Sequence, residues 1–172
     1  MGTLVLATVI ADSALGVIDI AVTGFAKEQH KASAAGVLPA TFALTALVAG
    51  AVLGARAWRA SPRARLAATP AALASAPLAP AHSVAAMACL LAIAGGPFAA
   101  QWTAVYLVLD ELAPARAAAE AISWISAANG AGVGLGSAIA GPIIQRSGTP
   151  AAFVRAAGLL TLASSILLLR RS

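Results

Sequence analysis

Asp12 and Asp19 are the only charged residues between Gly2 and Ala26, and they stand seven apart. In a helix that spacing puts both carboxyls near one face, about 10 Å apart along the axis. An ionisable side chain at bilayer depth costs about 2.5–3.5 kcal/mol on insertion scales, so its presence there points to function. A carboxyl so placed can carry a coupling proton or meet a cationic solute. The plain alternative is a carboxyl open to water, or bonded to Ser13, Thr23 or a neighbouring helix. Asn129 and Gln101 are the other candidates for solute contact, each able to hydrogen-bond a hydroxyl; such amides also bond between helices for about 1 kcal/mol. Glu120 falls where a helix begins, and there a carboxylate is favoured by the helix dipole as readily as by a gating role.

Positioning these groups requires apolar helices. Three stretches hold no Asp, Glu, Lys or Arg: Ala32–Ala55, Leu66–Leu109 and Ala121–Gln145, of 24, 44 and 25 residues. A bilayer crossing takes about 20 apolar residues. The first and third stretches each fit one crossing, the second fits two, and the chain's two ends supply two more. The expected fold class is all-α: an integral membrane bundle of six helices forming a single domain over residues 1–172. The helices are expected at about 3–25, 33–55, 65–81, 84–109, 118–145 and 150–169. The third is the least regular, with Pro70, Pro77 and Pro80.

The chain is 60% hydrophobic and 10% charged, with mean hydropathy +0.90. A soluble domain carries about 25% charged residues, which excludes a water-covered exterior. The net charge of +5 suggests nucleic acid at first sight. The basic residues instead sit in short turns between apolar runs, where they anchor helices to headgroups. Membrane lipid is therefore the expected partner, and nucleic acid is not. Seven Lys/Arg lie on one side (Arg56, Arg59, Arg63, Arg65, Arg116, Arg170 and Arg171) and four on the other (Lys27, Lys31, Arg146 and Arg155). The positive-inside rule puts the first side, and with it both termini, in the cytoplasm of a multi-pass cell-membrane protein. Trp58, Trp102, Tyr106 and Trp124 fall toward the same side, as interfacial aromatics do.

Small residues mark the packing surfaces. Ala128, Gly132, Gly136 and Ala140 share one face of the fifth helix; Gly130, Gly134 and Ala138 share another. Small residues four apart let helix backbones approach closely in lipid. Gly141-Pro142 lies near the end of that helix. Gly95-Gly96-Pro97 is expected to kink or unwind the fourth. Cys89, the single cysteine, is expected as a buried apolar residue. His30 and His82 fall in outer loops, so no metal, cofactor or catalytic role is expected. An intramembrane serine protease would need a Gly-x-Ser-Gly turn and a histidine within a helix. Gly136-Ser137-Ala138 lacks the second glycine, so no enzyme is expected. The helix glycines precede no Lys-Ser/Thr, so no phosphate-binding loop is present. No basic n-region precedes the first apolar stretch, so it is not read as a signal peptide.

Several segments in order carry a resemblance to a known family. Leu15-Gly16-Val17-Ile18-Asp19-Ile20-Ala21 leads into Phe25-Ala26-Lys27-Glu28. Ala35-Gly36-Val37-Leu38 and Gly50-Ala51-Val52-Leu53-Gly54-Ala55-Arg56 follow, with a basic turn from Arg56-Ala57-Trp58-Arg59 to Arg63-Ala64-Arg65. Leu109-Asp110-Glu111-Leu112-Ala113-Pro114, Glu120-Ala121-Ile122-Ser123-Trp124, Asn129-Gly130 to Gly141-Pro142, and Ser147-Gly148 complete the pattern. The chain resembles the C-terminal six-helix half of a bacterial major facilitator superfamily permease, of the sugar- or drug-efflux type. The resemblance implies a secondary transporter whose solute path runs between two halves. It implies a small-molecule substrate, proton-coupled efflux by alternating access, and a second six-helix half or a second copy as partner. The alternative is a truncated or non-transporting membrane interaction protein.

Overall fold

The computed structural model describes residues 2–31, 33–55, 68–70, 81–112 and 117–169. Apart from a helical stretch at 68–70, these form four helical runs: α1 (Gly2–Glu28), α2 (Ala34–Gly54), α3 (Val84–Leu112) and α4 (Ala118–Leu169). All four are long and apolar enough to cross a membrane. Six separate helices are not seen among the described residues. Most of the expected third helix lies outside them, as do Trp58 and the basic residues Arg56, Arg59, Arg63, Arg65, Arg116, Arg170 and Arg171.

The expected fifth and sixth helices form one run, broken at Gly148 (φ 76°, ψ 168°). That backbone conformation is essentially restricted to glycine, so Gly148 is where the run folds back. Pro150 follows at the start of the second arm, where a missing N–H costs nothing. Gly24 of α1 lies beside Ile144 and Thr149, while Leu4 and Leu167 share an apolar cluster at the opposite end of the bundle. The first arm (118–147) therefore runs parallel to α1, and the second arm (149–169) returns antiparallel to it.

The break at Gly148 falls between the expected fifth and sixth helices, whereas Gly95-Gly96-Pro97, expected to kink or unwind its helix, does not interrupt it. α3 continues through Gly95-Gly96-Pro97, and the first arm continues through Gly141-Pro142. Packing explains α3: a Cβ at Gly95 would strike Thr45 Oγ1 and the α2 backbone at Ala46 and Phe42, so the glycine serves close approach. Neighbouring helices commonly accommodate proline within membrane helices.

The two small-residue faces of the first arm also differ. Gly132 and Gly136 are buried against α1; a Cβ on Gly132 would lie 2.6 Å from the Val9 carbonyl oxygen, and one on Gly136 would run into the Ser13 carbonyl. Reciprocally, a Cβ on Gly16 would run into the Val133 carbonyl. Gly130 and Gly134 meet nothing within 4 Å, and Ala138 is exposed. Among the described residues, only the first face packs. Cys89, expected inside, is exposed on α3.

Two ends are secured by local chemistry. The Ser83 hydroxyl accepts a hydrogen bond from the Ala86 N–H at 3.2 Å, capping α3. α1 ends in a Schellman arrangement: Lys31 N–H donates to Ala26 O, and His30 N–H to Lys27 O, with His30 at φ 53°. A glycine is the usual occupant of that position, but histidine is among the residues that adopt it. Inside the runs, Thr23, Thr41, Thr103, Ser123, Thr161 and Ser165 donate to carbonyls four residues back. Each hydroxyl is thus satisfied within its own helix, as an apolar surrounding requires.

Candidate functional site

α1 passes between α2 and both arms of α4 because small residues let it. Ala11, Ala14, Val17 and Ala21 are buried in the main apolar cluster, together with Leu38 of α2, Leu91 of α3 and Ala156 of the second arm. This close packing carries the inner face of α1, with Asp12, into the protein. Asp12 is completely buried. Its Oδ2 accepts a hydrogen bond from Asn129 Nδ2 at 3.0 Å, and its Oδ1 has no partner among the described residues. The sequence put Ser13 and Thr23 forward as possible partners for the carboxyls. Ser13 donates to the Val9 carbonyl and Thr23 to the Asp19 carbonyl, so neither serves.

Asn129 has a second neighbour. With Asp19 it lines a cavity of about 270 Å³ between α1, α2, α3 and the first arm of α4. The remaining lining is Leu15, Ile18, Val22, Pro39, Phe42, Leu91, Ala94, Phe98 and Val133. Phe42 and Phe98 form a tilted pair, with ring centroids 5.0 Å apart. Asp19 is exposed, and among the described residues neither Lys nor Arg lines the cavity.

The sequence candidates thus separate. Asp12, Asn129 and Asp19 are brought together: the first buried, the last at a cavity, and the amide touching both regions. Gln101 is buried on α3, with Oε1 lacking a partner among the described residues, but does not line the cavity. Glu120 is exposed near the start of α4, where its Oε1 receives a long hydrogen bond of 3.4 Å from Trp124 Nε1. Gly96 and Pro97 line a separate apolar groove between α2 and α3.

Sequence reasoning missed Phe42 and Phe98. They are two of four phenylalanines in the chain, and no spacing rule joins residues on different helices. It also missed the contact between Glu28 and Thr149: the Thr149 hydroxyl donates to Glu28 Oε1, joining the end of α1 to the fold-back of α4.

No match is found among curated proteins or among solved structures. A family model described as Major Facilitator Superfamily matches residues 4–172. The match takes in all four apolar runs, the cavity between them and the carboxyl–amide pair beside it. Together with those runs it makes this a multi-pass membrane protein that belongs to the major facilitator superfamily.

Proposed function

We propose that the chain is the C-terminal six-helix half of a secondary transporter, moving a small solute outward by alternating access and coupled to protons. The observation that carries this reading is the juxtaposition of two carboxyls through one amide. Asp19 faces the cavity, Asp12 is sealed away from it, and Asn129 bonds Asp12 while lining the cavity. A carboxyl at the cavity can meet solute, and one behind it can take up and release a proton. Membrane-buried carboxyls commonly serve as such relays.

A partner is part of the proposal. The face formed by Gly130, Gly134 and Ala138 is smooth and left uncovered by the described residues, which suits close approach of another helix from a second half or a second copy. The same face favours the alternative reading, a membrane interaction protein that moves nothing.

Transport in everted vesicles from cells making the chain, compared with cells lacking it, separates these readings. We expect a pH gradient to drive accumulation of at least one of three labelled probes: benzyltrimethylammonium, a hexose or lactate. Collapsing the gradient should abolish it. Equal uptake in both vesicle types would leave the interaction-protein reading standing.

The proposed orientation puts both termini in the cytoplasm of a cell-membrane protein. In a Cys89→Ser background, Gln29→Cys should react with an impermeant maleimide added to intact cells, and Ser61→Cys only after permeabilisation. The reverse pattern would overturn the orientation.

A further inference from the structure

Building on the transport reading above, we infer that the cavity takes a small apolar organic cation, such as an aryl- or alkylammonium. Of the eleven described residues lining the cavity, nine are apolar or aromatic, and the two polar ones are Asp19 and Asn129. A sugar entering this space would lose water from many hydroxyls and find two side chains to replace it. A hydroxyl buried without a partner is expensive, so a polyol is disfavoured. An anion would meet the Asp19 carboxylate with neither Lys nor Arg among the described lining residues to balance it. A neutral apolar molecule would fill the space but leave that carboxylate desolvated and unpaired.

A cation resolves the imbalance. The Asp19 carboxylate makes no side-chain hydrogen bond or ion pair among the described residues; the Thr23 hydroxyl takes only its backbone carbonyl. Phe42 and Phe98 stand in the same lining, tilted at 52° to each other. Aromatic faces attract cations, most strongly where water is excluded. Leu15, Ile18, Val22 and Leu91 accept the hydrocarbon part. The volume of about 270 Å³ restricts the ligand to a small one.

The test is equilibrium binding to the full chain in lipid nanodiscs. The probes are benzyltrimethylammonium, which keeps its charge at every pH, and neopentylbenzene, its neutral isostere. Saturable binding of the cation at least tenfold tighter than the neutral probe is expected. Asp19→Asn should weaken the cation at least tenfold and leave the neutral probe within twofold. Phe98→Leu should weaken the cation severalfold while keeping the cavity apolar. Asp19 is exposed, so its replacement does not threaten folding; circular dichroism and gel filtration confirm that each variant is intact. Equal affinity for both probes, or full cation affinity in intact Asp19→Asn, would overturn the inference. The two readings fail separately. Hexose or lactate uptake without cation binding would sink the substrate class and keep the transporter, whereas cation binding without uptake of any probe would do the opposite.

Discussion

Asp12→Asn is expected to abolish gradient-driven transport while sparing solute exchange. The substitution is nearly isosteric and keeps a hydrogen-bonding group opposite Asn129, whose Nδ2 lies 3.0 Å from Asp12 Oδ2. It removes the one property a relay needs, the ability to gain and lose a proton. If Asp12 carries the coupling proton, net transport driven by a pH gradient should fall at least tenfold. Exchange of labelled for unlabelled solute requires no net proton step and should persist in part. The Asp19→Asn variant should behave differently, because Asp19 faces the cavity and Asp12 does not. There, both exchange and driven transport should weaken through loss of solute affinity. Glu120→Gln should be mild, since an exposed carboxylate at a helix start contributes about 0.3–1 kcal/mol. Wild-type gradient dependence in Asp12→Asn would show that this carboxyl is structural and move the coupling site elsewhere.

The largest effect on stability is expected at Gly136. A methyl there would overlap the Ser13 backbone carbonyl, and one at Gly132 would lie 2.9 Å from the Asp12 Cβ as well as 2.6 Å from the Val9 oxygen. Backbone atoms cannot swing aside as a long side chain can, so the two parallel helices must separate. Overpacking typically costs about 1–3 kcal/mol, and separation would also strain the Asp12–Asn129 hydrogen bond. Gly136→Ala should therefore lower the thermal unfolding midpoint in detergent by several degrees, and Gly132→Ala should follow the same direction. The matched controls are Gly130→Ala and Gly134→Ala, two residues and so about half a helical turn away from the contact face. An added methyl meets open space at both, and alanine is the better helix former by about 0.5–1 kcal/mol. These variants should unfold no earlier than the wild type. If they instead disrupt a larger assembly in native membranes, the open face is the docking surface for the partner. A Gly136→Ala protein as stable as the wild type would show that α1 and α4 are not held by this close approach.

The physical contrast between one-dimensional and three-dimensional information is clearest on α4. Its membrane character was legible from Ala121–Gln145 alone, because the cost of burying charge in hydrocarbon acts residue by residue and needs no partner. The same holds for α1, α2 and α3, whose starts and ends lie within a few residues of those read from the chain. The family pattern was legible for the same reason: it is written as an order of local segments, and the family model matches residues 4–172. Local sequence could not choose between the two glycine faces of the first arm. Both have the same four-residue spacing, and only the position of α1 buries Gly132 and Gly136 while leaving Gly130 and Gly134 open. The sequence bracketed the fold-back between helices read at 118–145 and 150–169, but could not say which local breakers act. Pro97 and Pro142 are local helix breakers, yet their helices continue, while the fold-back falls at Gly148, the position whose φ of 76° suits glycine alone. The carboxyls show the same division. Their rarity in an apolar run marked Asp12 and Asp19 from sequence, and their spacing of seven put them near one face. Which is sealed and which opens on the cavity was decided by Asn129, Phe42 and Phe98, residues from three other helical segments. Burial is set by what packs against a side chain, and that is a property of the assembled bundle.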